Sequence, residues 1–401
     1  MRRWAFLVLA LGCGSPGEDN TEWGGTASAS ERAEAAGTGA GGGSESGSAA
    51  ASASASESAS ESASASESAT ESASASESAS ESASESASES ASESASESGS
   101  SSSVAALMAM TGEESTSIGG PQDGSLEGGV ALPERAPGLQ AGTTRPNPEA
   151  VYGTVEMVQA LVRAAGVVHA ELPGGALRIN DLGFREGGPI PHHGSHRAGR
   201  DVDVLFYLLD RDGAPMPSVG AFLDPRGIGV DFKDLSVRAD DVVVRLDAPR
   251  TWRFVQALLE GERGDDVQRI FVAEHIRALL LAQAERARAP RAVRERFAQI
   301  TCQPGAPHDD HLHIRFHCSL EDLAHGCADS PPVYPWRRAM LREAGLRPQL
   351  NRPRPDRPQA PRTTAEEARA AAGEMHPRVE QWLTRREAWL EAPHPGRPFC
   401  R

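Results

Sequence analysis

The sequence predicts an α+β fold confined to the second, larger part of a 401-residue chain. Three observations lead there. After residue 147, helical and strand patterns intermix without a repeating strand–helix–strand unit. Acidity is concentrated earlier: residues 1–150 hold 22 acidic and 5 basic side chains, against 34 and 35 in the remaining 251. Aromatic residues divide the same way, since only Trp4, Phe6 and Trp23 precede residue 150. A segment so poor in large apolar side chains cannot enclose a core. The net charge of −16 therefore belongs to the N-terminal part, and the near-neutral remainder lacks the basic excess of a nucleic-acid binder.

The chain opens with Met1-Arg2-Arg3 and an apolar run over residues 4–11, closed by Gly12-Cys13. The run is far shorter than the ~20 residues of a spanning helix. It looks like a lipoprotein signal peptide over residues 1–13, which implies export, a lipid on Cys13 as the membrane attachment, and a periplasmic location on the outer membrane, with the cell surface as the alternative. Residues 14–145 are rich in Ser, Ala, Gly and Glu, with a Ser-Ala-Ser-Glu pattern through 51–98. Spaced glutamates repel and alternate serines oppose helix, so a disordered tether is expected, with a reach on the order of 60 Å. The small apolar cluster from Val104 to Met110 reads as a chance run within it.

The folded domain is expected over residues 146–335. Val155, Val158, Leu161 and Val162 form a helical stripe. Strands are expected at 177–179, 202–208, 242–246, 270–273 and 312–316, with helices at 252–259 and 275–288. Residues 336–401 form an Arg- and Pro-rich extension with two short helices. Thr364 and Glu367 make a capping box for one; the other starts at Pro377 and gathers Val379, Trp382, Leu383, Trp389 and Leu390 on a face suited to packing on the main domain. Cys302, Cys318, Cys327 and Cys400 form no Cys-x-x-Cys pair, so they read as disulfides of an exported chain. Three pairings are open; a small Cys318–Cys327 loop would leave Cys302 with Cys400.

Two histidine clusters carry the chemistry. The first runs His192-His193-Gly194-Ser195-His196-Arg197-Ala198-Gly199-Arg200-Asp201-Val202-Asp203, straight into a strand; the second is His308-Asp309-Asp310-His311-Leu312-His313. Zinc takes imidazole and carboxylate ligands, and a catalytic site keeps three of them and an open position. Strand alternation puts His311, His313 and Arg315 on one face, with Leu312, Ile314 and Phe316 towards the core. It likewise separates Asp201 and Asp203 from Val202 and Val204. Alternate histidines stand ~7 Å apart, which suits one metal ligand and one group reaching the water or substrate without deciding which is which. Carboxylates on such a strand need partners.

Together the two clusters resemble the penicillin-insensitive murein endopeptidases, over roughly residues 147–335. Tyr152-Gly153-Thr154 and Ile270-Phe271-Val272 fit the same family. The resemblance implies a small zinc metallopeptidase domain with a short antiparallel sheet carrying one Zn2+ per chain. It makes His196, Asp203 and His313 the ligands, His311 the general base, and His308 the group that orients water or intermediate. His193 matches a motif histidine at the site edge, and Asp201 and Asp310 are outer partners or substrate contacts, while Asp309 reads as a turn residue. The implied substrate is the D-alanyl–meso-diaminopimelyl cross-link of peptidoglycan stem peptides, cut without a serine nucleophile. D-Ala-D-Ala dipeptidases and D,D-carboxypeptidases share the zinc pattern and are the alternative, as is a non-catalytic wall-binding lipoprotein. Leu312 stands where the family usually has Phe; Cys318, five residues after the last ligand, fits; the tether and the Trp-bearing extension do not belong to the family core.

Overall fold

The computed structural model describes residues 103–141, 147–352, 354–390 and 400. The signal sequence, Cys13 and the tether up to residue 102 lie outside the described residues. The architecture is α+β. Its centre is a seven-stranded sheet built from β1 (Arg135–Ala136), β2 (Leu139–Ala141), β3 (Leu177–Ile179), β4 (Asp201–Leu205), β5 (Val267–Phe271), β6 (Thr301–Cys302) and β7 (His311–Phe316). Their spatial order is β6-β5-β7-β4-β3-β2-β1. The central pairings β5/β7, β7/β4 and β4/β3 are antiparallel, while β5/β6 and β2/β3 are parallel, so the sheet is wider and more mixed than the short antiparallel one expected.

Alternation makes the sheet two-faced. Val202, Val204, Ile270, Leu312, Ile314 and Phe316 are buried in one core with α1 (Val155–Glu171), α2 (Ala248–Glu260), α3 (Glu274–Arg286) and α4 (Arg291–Ile300). The opposite parity of β4 and β7 carries Asp201, Asp203, His311, His313 and Arg315. Pairing of His313 with Asp203, and of Arg315 with Asp201, fixes which polar groups meet. A one-residue slip would exchange them for the apolar set.

The folded part starts well before residue 146. A hairpin pairs Thr116–Ile118 with Ser125–Glu127, and β1 and β2 extend the main sheet. Ser117 Oγ donates to the Ala198 carbonyl at 2.8 Å and accepts from Arg200 Nε at 2.8 Å. Leu126 lies where a Cβ on Gly199 would intrude at 2.6 Å, and Gly199 itself has φ +67°, so both space and backbone require glycine there. The cluster at Val104–Met110 is not a chance run. Residues 103–109 are helical, Leu107 joins the main core, and Gln159 Nε2 donates to the Leu107 and Met110 carbonyls at 2.9 Å each. Strands of two or three residues carry too little alternation to be read from sequence, which is why this segment passes for tether.

The extension packs on the domain as its apolar face implies. It contains α5 (Pro335–Glu343), α6 (Ala365–Ala372) and α7 (Pro377–Leu390). The Thr364–Glu367 capping box is formed, and Val379, Trp382 and Leu383 of α7 share a core with Phe222, Val230, Phe232 and Leu235. Disulfides join Cys318 to Cys327 and Cys302 to Cys400. Among the described residues, no helix is long and apolar enough to cross a membrane.

Beside the end of β7 and the start of β4, Asp329 ties three segments together. Its carboxylate accepts from the Cys318 amide at 2.7 Å and from Arg337 Nη2 at 3.2 Å, with Arg200 Nη1 at 3.6 Å and His317 Nδ1 at 3.1 Å. Burial works against its charge, yet His317 and the two guanidiniums hold its pKa down at about 2. Because the folded value is depressed, the stabilisation is complete above the unfolded value near 4 and is lost as pH falls through about 2. We expect it to amount to about 2 kcal/mol. Asp329→Asn, which leaves two buried guanidiniums short of an anion, should cost about 3–5 kcal/mol at pH 7. Urea denaturation of both proteins at pH 7 and pH 2 checks this: the gap must narrow in acid, and a constant gap would contradict it.

Candidate metal centre

The site is assembled from four pieces: the end of β3, the loop 192–200, and strands β4 and β7 with the turn before β7. His196, Asp203, His308, His311 and His313 are brought together around one carboxylate. Asp203 Oδ1 lies 3.3 Å from His196 Nε2, 3.4 Å from His311 Nε2 and 3.6 Å from His313 Nδ1. His308 Nε2 is 3.3 Å from His313 Nδ1. His193 Nδ1 approaches the other oxygen, Asp203 Oδ2, at 3.7 Å. His193, His196 and Asp203, all buried, offer ligand atoms within 4.8 Å of one another and could hold a metal ion. The structure thus brings His193 within reach of the same carboxylate, on its other oxygen.

The outer partners decide which ring nitrogens carry protons. His196 Nδ1 meets the Leu182 carbonyl at 2.7 Å, an acceptor only, so that nitrogen donates and Nε2 is left bare. His313 Nε2 meets Asp201 Oδ1 at 2.8 Å, which leaves Nδ1 bare. His308 Nδ1 donates to the Ala306 carbonyl, leaving Nε2 bare, and His193 Nε2 donates to Asp181 Oδ2 at 2.9 Å, leaving Nδ1 bare. With those rings neutral, the bare nitrogens and Asp203 are all acceptors; Asp203 raises the His196 pKa against the effect of burial, and His311 Nε2, 3.4 Å from Asp203 Oδ1, lies beside them. His196 Nε2 and Asp203 Oδ1 are buried and have no hydrogen-bond partner. An unpaired buried acceptor costs about 1–3 kcal/mol, and here several point at one another. A cation resolves that conflict; the donor set fits one.

Electrostatics follow the same pattern. Burial pushes His313 down to about 4 despite Asp201, and burial with the neighbouring His311 and His313 holds His308 well below the usual histidine range. Both rings are neutral at pH 7. Burial opposes charge on His311, but Asp310, 2.8 Å away at Nδ1, and Asp203 outweigh it and raise its pKa well above the usual value. Burial also disfavours the charged carboxylates, but Arg315 and His313 keep Asp201 ionised, and His196 and His311 do the same for Asp203. Arg315 Nε donates to Asp201 Oδ1 at 2.6 Å. His196 (φ +66°) and His308 (φ +55°) both sit in the left-handed region, which side-chain-bearing residues avoid unless their surroundings impose it.

Chain similarity bears on the same residues. A family model described as penicillin-insensitive murein endopeptidase matches residues 117–338. The chain belongs to that family. Among curated relatives, a penicillin-insensitive murein endopeptidase of Klebsiella pneumoniae subsp. pneumoniae is 29% identical over 225 residues, which is 56% of this chain and 73% of the relative. A second, from another Klebsiella pneumoniae strain, is 28% identical with the same coverage. The match begins within the hairpin, so the family includes the segment that sequence reading assigned to the tether.

Two expectations change. Asp309 lies in the bend before β7, and its side chain does more than make that turn: it is fully buried and pairs with Arg386 of α7. Asp181, which orients His193 and itself accepts from Asn147 Nδ2 at 3.1 Å, is absent from the sequence-derived set. Its only sequence signal is an acidic residue two positions after the short strand Leu177–Ile179. His196→Ala and Asp203→Ala should each weaken divalent-cation uptake by the full chain by more than about 100-fold. Isothermal titration checks this, and wild-type affinity in either variant would rule out the cluster as the binding site.

Proposed function

We propose that this chain is a zinc-dependent murein endopeptidase that hydrolyses the D-alanyl–meso-diaminopimelyl cross-link between peptidoglycan stem peptides and is insensitive to β-lactams. The observation that carries the reading is the buried, unpartnered His196 Nε2 and Asp203 Oδ1, with His313 Nδ1 facing the same oxygen, in a chain of this peptidase family. Mixed imidazole and carboxylate donors suit zinc. His196, Asp203 and His313 are the assigned ligands, one ion per chain. His193 is a competitor for His313, but its free nitrogen faces Asp203 Oδ2, whereas His196 and His313 both face Oδ1. All three imidazoles have an outer acceptor that fixes the ring, the Leu182 carbonyl for His196, Asp201 for His313 and Asp181 for His193, so the shared oxygen is what separates them.

A zinc ion held there would supply a Lewis acid for the scissile carbonyl and for the attacking water. His311 takes the water's proton and later returns it to the leaving amine. Two anions, Asp310 and Asp203, favour its charged form; a cation held by Asp203 would offset one of them. Asp310 keeps the ring aimed through Nδ1. His308, neutral with Nε2 free, accepts a hydrogen bond from the water or steadies the substrate. None of these roles uses a serine, so a β-lactam finds no nucleophile to acylate. Two disulfides suit an exported chain, and we place it in the periplasm, attached to the outer membrane by a lipid on Cys13 and reaching the wall through its N-terminal segment.

Digestion of purified sacculi tests the substrate. The full chain should remove cross-linked dimers without releasing free D-alanine; release of D-alanine or a dipeptide alone would favour the D,D-carboxypeptidase or dipeptidase alternative. His311→Ala should retain one zinc per chain while turnover falls by about 10²- to 10⁴-fold. Wild-type turnover in that variant would show that another group is the base.

A further inference from the structure

Loop 303–310 joins β6 to β7 and bears His308, Asp309 and Asp310. Both of its ends are gripped by the C-terminal extension. At the first, Cys302 is bonded to Cys400, whose amide donates to the Gln303 carbonyl at 2.8 Å. At the second, Arg386 of α7 grips Asp309 with two parallel contacts, Nε to Oδ2 at 2.9 Å and Nη2 to Oδ1 at 2.7 Å. Asp309 is wholly buried and Arg386 only 5% exposed, with the guanidinium carbon 3.6 Å from the Phe222 ring centre. The helix that presents Arg386 is seated by Val379, Trp382 and Leu383 on the domain. Residues 339–401, these contacts' source, lie beyond the family match.

We propose that Arg386 is a positioning residue for the peptidase site. It acts through Asp309 on the two flanking residues, His308 and Asp310, and through Asp310 on His311. A forked guanidinium–carboxylate contact fixes orientation as well as distance. That matters here because His308 stands at φ +55°, a conformation that must be imposed by its surroundings. The Asp309 carbonyl, bonded to the Leu223 amide at 2.9 Å, and the His308 carbonyl, bonded to the Ala273 amide at 3.0 Å, complete the hold on the backbone. The assigned metal ligands sit on β4, β7 and loop 192–200, which Arg386 does not touch through Asp309. Loss of the fork therefore loosens the proton-handling groups while the ion stays bound. The extension is then a working part of the site, not an appendage to it.

This inference rests on the zinc-peptidase reading, and its test separates the two. Full-length wild type, Arg386→Gln and Arg386→Lys are compared for zinc content, melting temperature and steady-state cleavage of a soluble cross-linked muropeptide. Arg386→Gln should keep one zinc per chain and a KM within about twofold while kcat falls by about 10- to 100-fold, the scale set by a small misplacement of reacting groups. Arg386→Lys, which keeps the charge and one prong, should recover part of that loss. If the Gln variant does not fold, the Lys variant decides: a lowered kcat at unchanged KM and zinc content supports positioning. Wild-type kcat in the folded variants, or a loss that follows missing zinc or unfolded protein, overturns it. A wild type that cleaves nothing sinks the peptidase reading, and the positioning role with it, whereas an active wild type with equally active variants sinks the positioning role alone.

Discussion

Imidazole nitrogens of His196, His313 and His308 crowded with the buried Asp203 carboxylate are the constraint on which the rest of this molecule depends. In the neutral rings the outer partners leave His196 Nε2, His313 Nδ1 and His308 Nε2 bare, and the Asp203 carboxylate they surround is buried. Left alone, such an arrangement is repulsive, and a chain free to relax would turn the rings away. It cannot relax. The Asp203–His313 register is locked by the central strand pair, and His196 and His308 are held in left-handed backbone conformations. The fold thus spends stability on a site whose natural completion is a positive ion.

What surrounds the centre is organised to keep it that way. The reverse parity of the same strands is apolar and packs on α1 to α4, so any slip that relieved the polar side would expose the core side. The N-terminal hairpin presses Leu126 against Gly199 and ties Ser117 to Ala198 and Arg200, bracing the loop that delivers His196. Asp329 and its two arginines anchor the segment between the short disulfide and the sheet. Support thus arrives from residues before and after the motif-bearing segments as well as from between them.

That distribution explains what could be read from the sequence. Asp203, His311 and His313 were legible because strand alternation assigns faces from sequence alone, and the polar face of β4 and β7 is written in charged and imidazole side chains; His196, in the loop before β4, was reached through the motif resemblance. The α7 face was legible for the same reason, through a helical stripe of Val379, Trp382 and Leu383. The segment 103–141 was not, since its strands are two or three residues long and their partners lie far away in the chain. Nor was the role of Asp309: an aspartate two residues after a loop proline looks like a turn former until a distant arginine is known to reach it. Asp181 escaped because its partner, His193, is contributed by a different piece of backbone. Local patterns reveal faces; contacts between remote segments need the fold.

The most direct measurement is zinc-edge anomalous diffraction from crystals of the full chain grown with stoichiometric zinc. The account requires a single ion bonded to His196 Nε2, Asp203 Oδ1 and His313 Nδ1 at about 2.0–2.2 Å, with an open position towards His311. A cluster that remains metal-free under those conditions, with its imidazoles turned to hydrogen-bond Asp203 instead, would contradict it.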